Sequence, residues 1–169
     1  MQGFAYKENG MNVVLFANSL TNKVHQRDEY AYISNFLFSS VLSDKNYDGS
    51  ASLPFTDVAD DAYYADAVVW AVAKNITSGA TATTFDPDGK STREQSAAIL
   101  YRYAGSPAAS SSALNGFADQ SAVSSYAVTA MQWAVGSGLI QGKPDGVLDP
   151  QGTATRAEIA AMLHRFLEK

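Results

Sequence analysis

The chain has 169 residues, 46% of them hydrophobic, which is enough apolar material for one sizeable core or two to three small sub-units and too much for a disordered chain. A net charge of −5 and a sequence pI near 4.8 argue against nucleic-acid partners, whose phosphates are gripped by clustered Lys and Arg. Cysteine is absent, so no disulfide framework, thiolate nucleophile or sulfur-ligated zinc is available, and no apolar run approaches the roughly 20 residues that cross a bilayer.

In chain order, the opening Met1-Gln2-Gly3-Phe4 lacks the basic and apolar stretches of a secretory signal, so an export signal is expected to lie outside this chain. Phe4-Ala5 is followed at Gln26-Arg27-Asp28-Glu29 by a helix start and then by Ala31, Ile33, Phe36 and Leu37 at helical spacing. Asp44 to Pro54 is rich in turn formers and reads as a linker. Within it, Asp44-Lys45-Asn46-Tyr47-Asp48-Gly49 begins like a calcium loop, but position twelve is Phe55 where a bidentate Glu belongs, so a turn is expected and no metal.

Next, Tyr63, Ala67 and Trp70 fall at i, i+4 and i+7, one face of a helix. Phe85-Asp86-Pro87-Asp88-Gly89 predicts a loop. Thr92-Arg93-Glu94-Gln95 is a capping box that opens a second helix with Ala97, Leu100, Tyr101 and Ala104 on its apolar side. Ser106 to Ser112 reads as another linker. Then the order recurs: Tyr126, Ala130 and Trp133, a loop from Lys143 to Pro150, the box Thr155-Arg156-Ala157-Glu158, and Ala160, Leu163 and Leu167.

The spacing fixes the repeat. Phe4 to Arg27, Trp70 to Arg93 and Trp133 to Arg156 are each 23 positions, and alanine follows each aromatic. Three helix-loop-helix copies follow, over 1–50, 51–112 and 113–169, with the first half of helix one missing from the first copy. A truncated copy leaves apolar surface uncovered near Phe4, which makes homo-oligomerisation there an expected alternative role.

These residues resemble the S-layer homology family. The resemblance rests on Phe55-Thr56-Asp57-Val58, Trp70-Ala71, Asn75-Ile76 with Gly79, Phe85-Asp86-Pro87 and the Thr92 box. In the last copy it rests on Phe117-Ala118-Asp119, Trp133-Ala134, Gly138-Leu139-Ile140-Gln141-Gly142, Leu148-Asp149-Pro150 and the Thr155 box. It is strong over 55–169 and weak over 4–45, where Gln26 replaces threonine and Ser19-Leu20 replaces Asp-Pro. The resemblance implies an all-α, pseudo-threefold domain on the bacterial cell surface, binding secondary cell-wall polysaccharide, often with a pyruvate ketal, in grooves between repeats.

Several residues are candidates for that binding. Arg27, Arg93 and Arg156 sit in the first turn of a helix, where a cation opposes the macrodipole, so local stability does not explain the placement. A guanidinium fork suits a carboxylate, and the same helix ends offer N–H groups; pairing with an acidic residue of the adjoining repeat is the other explanation. Trp70 and Trp133 are either sugar platforms or core. Asp57 and Asp119 either accept sugar hydroxyls or cap helix one. Gly142 closes the Gly138-Leu139-Ile140-Gln141-Gly142 turn motif on which the resemblance rests and is a candidate for the same binding. His25 and His164 form no catalytic constellation with the scattered carboxylates, and no nucleophile elbow, phosphate loop or His-Glu-x-x-His occurs, so no enzyme activity and no cofactor are expected.

Overall fold

A computed structural model describes residues 3–8, 11–16 and 53–168. From 53 onward all regular structure is helical: α1 (Ala65–Ala73), α2 (Arg93–Tyr103), α3 (Val128–Gly136) and α4 (Arg156–Leu167), with short 3₁₀ turns at Gln120–Ala122 and Ser125–Ala127. This is the all-α helix-loop-helix order that the spacing predicts for the second and third copies. None of these helices is long and apolar enough to cross a membrane.

The first segment departs from expectation. Phe4 was placed on a helix by alignment with Trp70 and Trp133, but it lies on strand β1 (Gly3–Glu8), which pairs antiparallel with β2 (Met11–Phe16). The register pairs Glu8 with Met11, and the two residues between them are Asn9-Gly10, the pair most favoured in two-residue hairpin loops. Flanking runs rich in valine and aromatics complete a hairpin signal that the repeat alignment overrode. Arg27, Gln26, the Asp44–Gly49 stretch, the rest of the first copy and the apolar surface expected beside Phe4 lie outside the described residues and side chains.

Two compact units divide the described residues: one holds the hairpin, 53–73 and Ser78–Asp88, the other Lys74–Thr77 and 89–168. In the first, α1 is buried around most of its circumference, with Ala65, Ala67, Val68, Val69, Trp70 and Ala71 inside. Phe55, Val58, Ala65 and Val68 form a cluster against Leu53, Tyr64, Val72 and Phe85. Tyr63 precedes the helix and is 71% exposed, so it does not share the Trp70 face as the spacing suggested; Tyr126 likewise precedes α3.

In the second unit α2 packs against α3, so the closing helix of one copy is joined to the opening helix of the next. Leu100, Met131, Leu139, Ile140, Leu148 and Ile159 are fully buried at its centre. The apolar face of α4 differs from the one expected: Ile159 and Met162 are buried, while Ala160 is exposed and Leu167 is 55% exposed. Ala104 is exposed at the C-cap of α2.

Local chemistry explains where the helices begin and end. Both capping boxes form: the Thr92 and Thr155 hydroxyls accept from the Gln95 and Glu158 N–H, and those side chains reach back to the Thr N–H at 2.8 Å. After the opening helices, Asn75 (φ 57°) and Gly138 (φ 74°), 63 positions apart, take the left-handed conformation that stops a helix. Arg102 and Arg165, also 63 apart, donate to the Ile76 and Leu139 carbonyls just beyond those stops.

Two glycines make close approach possible. A Cβ on Gly79 would lie 2.4 Å from the Phe55 ring and 2.6 Å from the Thr84 carbonyl, at φ +79°; one on Gly142 would lie 2.4 Å from the Phe117 ring. Gly142→Ala is expected to cost about 1–3 kcal/mol through overpacking, and Gly79→Ala more, because it adds backbone strain and a clash with backbone. Urea denaturation of the two variants checks the order.

Candidate functional site

Arg93 sits in the first turn of α2 yet is only 3% exposed. Its Nε donates to the Leu148 carbonyl at 2.7 Å, one terminal nitrogen to the Gln141 carbonyl at 3.2 Å, and the other pairs with Glu158. All three acceptors belong to the next copy. Pairing with an acid of the adjoining repeat, one of the two explanations the sequence left open, is therefore realised. The helix end is also occupied: the Arg93 and Glu94 N–H donate to the Gly152 and Pro150 carbonyls at 3.0 and 3.1 Å, and Ser91 accepts from Ala154. These bonds set an isolated antiparallel bridge between Thr92 and Thr153, so the N-terminus of α2 is not open to an anion.

Glu158 thus does two jobs. One oxygen closes the capping box and the other neutralises Arg93. Burial raises its pKa, but the Thr155 N–H and hydroxyl and the charges of Arg93 and Lys143 outweigh that and hold it below the ordinary glutamate value.

Beside this pair lies a cleft of about 270 Å³, near the small end of ligand pockets. Its wall is the Leu139–Pro144 turn on one side and Glu158, Ala161, Met162 and Arg165 of α4 on the other, with Arg93 between. Arg93 and Gly142, named separately from the sequence, are brought together here. Lys143, at the rim, pairs with Asp149. Arg165 donates to the Leu139 carbonyl at 3.0 Å and to the Gln141 side-chain oxygen at 3.3 Å.

The other candidates lie elsewhere. Trp70 is 4% exposed and lies in the core, whereas Trp133 is half-buried, stacked at a tilt on Tyr101 (5.6 Å) and edge-on to Phe166 (6.4 Å). Neither lines the cleft. Asp57 and Asp119 cap no helix by side chain; they clamp loops. Asp57 accepts from the Phe85 and Asp86 N–H, both at 2.8 Å, and Asp119 from Leu148 and Asp149 at 2.8 and 2.7 Å. The clamped Asp86 and Asp149 have φ of 60° and 51°, a left-handed conformation that aspartate tolerates. Arg156 is exposed at the start of α4. His164 is a surface residue paired with Glu168 at 3.0 Å.

Sequence reasoning missed Glu94, a 2%-exposed carboxylate that accepts from the Ser124 N–H at 2.9 Å, the Tyr126 hydroxyl at 3.0 Å and the Gln151 amide at 2.9 Å. It ties α2 to the entry of α3. Burial, then the charge and hydrogen bond of Glu94, push the Tyr126 hydroxyl up to about 12 against the weaker opposing pull of Arg102 and Thr92. A charged residue directly after the motif arginine, where the third copy has Ala157, was the available signal.

Interlocked helical copies with a cation-lined cleft at their seam define a tandem-repeat helical module. The S-layer homology domain model matches residues 54–97 and 116–160, together just over half of the chain, and the chain belongs to that family. It is 34% identical over 120 residues to the Surface-layer 125 kDa protein of Lysinibacillus sphaericus, covering 68% of this chain and 10% of that one. It is 30% identical over 151 residues to an Amylopullulanase of Thermoanaerobacterium thermosulfurigenes (88% and 8%), and 27% identical over 136 residues to the Cellulosome-anchoring protein of Acetivibrio thermocellus (79% and 30%). The chain thus spans less than a third of each of these relatives.

Two outcomes follow from this geometry. Arg93→Lys keeps the charge but not the three-way fork, and is expected to cost about 2 kcal/mol, whereas Arg93→Ala leaves Glu158 unpaired and costs about 3–5 kcal/mol in chemical denaturation. For Asp119, burial raises the pKa, but the Leu148 and Asp149 N–H donors, its own N–H and Arg93 bring it below the ordinary value. A carboxylate depressed in the folded state stabilises above its unfolded pKa, about 3.9, and loses that contribution as pH falls through the folded value. Thermal melts between about pH 2 and 6 should therefore fall less steeply on the acid side for Asp119→Asn than for the parent.

Proposed function

We propose that this chain is a non-catalytic module that holds a protein to the bacterial cell wall by binding secondary cell-wall polysaccharide, with an acidic or pyruvylated sugar as its determinant. One observation carries the reading: three cations, Arg93, Lys143 and Arg165, line a single cleft whose lining has one carboxylate, Glu158, with Asp149 paired to Lys143 beside it, in a chain whose net charge is −5. A cleft of opposite sign to the rest of the molecule concentrates anionic ligands. The names of the relatives support the anchoring half, since one is a surface-layer protein and one a cellulosome-anchoring protein.

We read the first fifty residues as a truncated, divergent repeat whose opening is the β1–β2 pair in place of a helix. The alignment with the amylopullulanase covers 88% of the chain, a share that 53–169 alone does not supply, so it extends into the first copy. On this reading the binding surface is extracellular, as the surface-layer relative's name suggests.

Co-sedimentation with Gram-positive sacculi tests the proposal. The chain is expected to pellet with native sacculi, to stay in solution with sacculi stripped of secondary polymer, and to bind more weakly as salt rises. Lys143→Ala, a surface change that leaves the core intact, should weaken pelleting severalfold. Failure to pellet with any native sacculus overturns the proposal.

A further inference from the structure

The charges around the cleft are not equally available. Arg93 is neutralised by Glu158, and each of its three guanidinium nitrogens already donates to the protein. Its Nε edge cannot grip a carboxylate without displacing the Leu148 carbonyl, and the side chain is only 4% exposed. Lys143 is neutralised by Asp149. Arg165 differs: it is half-buried, and among the described residues its partners are two neutral oxygens, the Leu139 carbonyl and the Gln141 side-chain amide.

A half-buried cation without a counter-ion loses hydration and gains little in return, so it favours an incoming anion more than a paired one does. Its carbonyl bond at 3.0 Å holds the guanidinium in place, while its bond to exposed Gln141 is long at 3.3 Å. Rotation of the Gln141 amide would free that nitrogen and turn an N–H toward the same ligand.

We propose that Arg165, gated by Gln141, is the residue that binds the anionic group of the ligand, and that Arg93 is a positioning residue that holds the cleft together. The assignment rests on the acidic-sugar reading above and names its contact. It moves recognition from the first turn of the motif helix to the far end of the next copy's closing helix.

The probe is the methyl glycoside of a 4,6-carboxyethylidene hexosamine, compared with its uncharged methyl ester by calorimetry. The parent chain is expected to bind the acid at least tenfold more tightly than the ester. Arg165→Gln should abolish that preference by bringing binding of the acid down to the level of the ester, whereas Arg93→Lys, checked for folding by circular dichroism, should weaken acid and ester alike and so keep the preference. A merely structural role for Arg165 would weaken both sugars alike. Should Arg165→Gln fail to fold, the Arg165 Nε–H resonance of the parent chain, assigned by its loss in Arg165→Lys, must shift with the acid and not with the ester. Preference retained in Arg165→Gln, lost in folded Arg93→Lys, or an unmoved Arg165 resonance overturns the assignment. A parent chain that pellets with sacculi but shows no preference for the acid overturns it too and leaves anchoring intact, whereas one that pellets with nothing removes both.

Discussion

The second compact unit is organised around one buried guanidinium. A charge in a water-poor seam is tolerated only if every donor finds an acceptor, and the Arg93 acceptors come from three places in the following copy: the Gln141 turn, the Leu148 loop and Glu158 of α4. Those segments can serve only when held in fixed relation. Asp119 supplies part of that by clamping Leu148 and Asp149, and the capping box supplies the rest by fixing Glu158 on Thr155. The same bonds that satisfy the arginine thereby shape the cleft beside it.

Corresponding atoms recur through the chain at a nearly constant offset. Asp57 and Asp119 clamp equivalent loops, Arg102 and Arg165 hold equivalent carbonyls, and Gly79 and Gly142 both admit a phenylalanine ring where a side chain would clash. Glu94 stands apart. It accepts three bonds at the entry to α3, and the third copy has Ala157 in its place, so this latch exists in only one of the two described copies.

The helix starts were legible because a capping box is a local device: Thr92 with Gln95 and Thr155 with Glu158 interact within one turn, whatever the tertiary surroundings. The turns were legible for a similar reason, since proline, glycine and left-handed aspartate report their own backbone. Burial was harder to read. Which face of α4 is buried depends on what packs there, and Ile159 with Met162 won over Ala160 with Leu167. Asp57 and Asp119 eluded sequence reasoning because their partners lie about 30 positions away and are backbone N–H groups, which carry no side-chain signature. Phe4 misled for the opposite reason: a long-range spacing match outweighed the Asn9-Gly10 pair next to it, and the short-range signal was the correct one.

A motif position does not by itself define a role. Arg93 and Arg156 occupy the same place in the same capping box, yet the first is buried under the succeeding loop and the second is exposed. What differs is the neighbour, because the Gln141 turn and the Leu148 loop lie over the start of α2. The chemistry therefore belongs to the seam between copies and not to the repeat. Arg165 shows the same rule from the other side: its counterpart Arg102 also caps a turn carbonyl, but only Arg165 lines the cleft beside the Arg93–Glu158 pair. Carrying a binding role from copy to copy by alignment alone would assign it to Arg93, which is buried, as readily as to Arg156, which is exposed, whereas following the unneutralised charge leads to the opposite end of the closing helix.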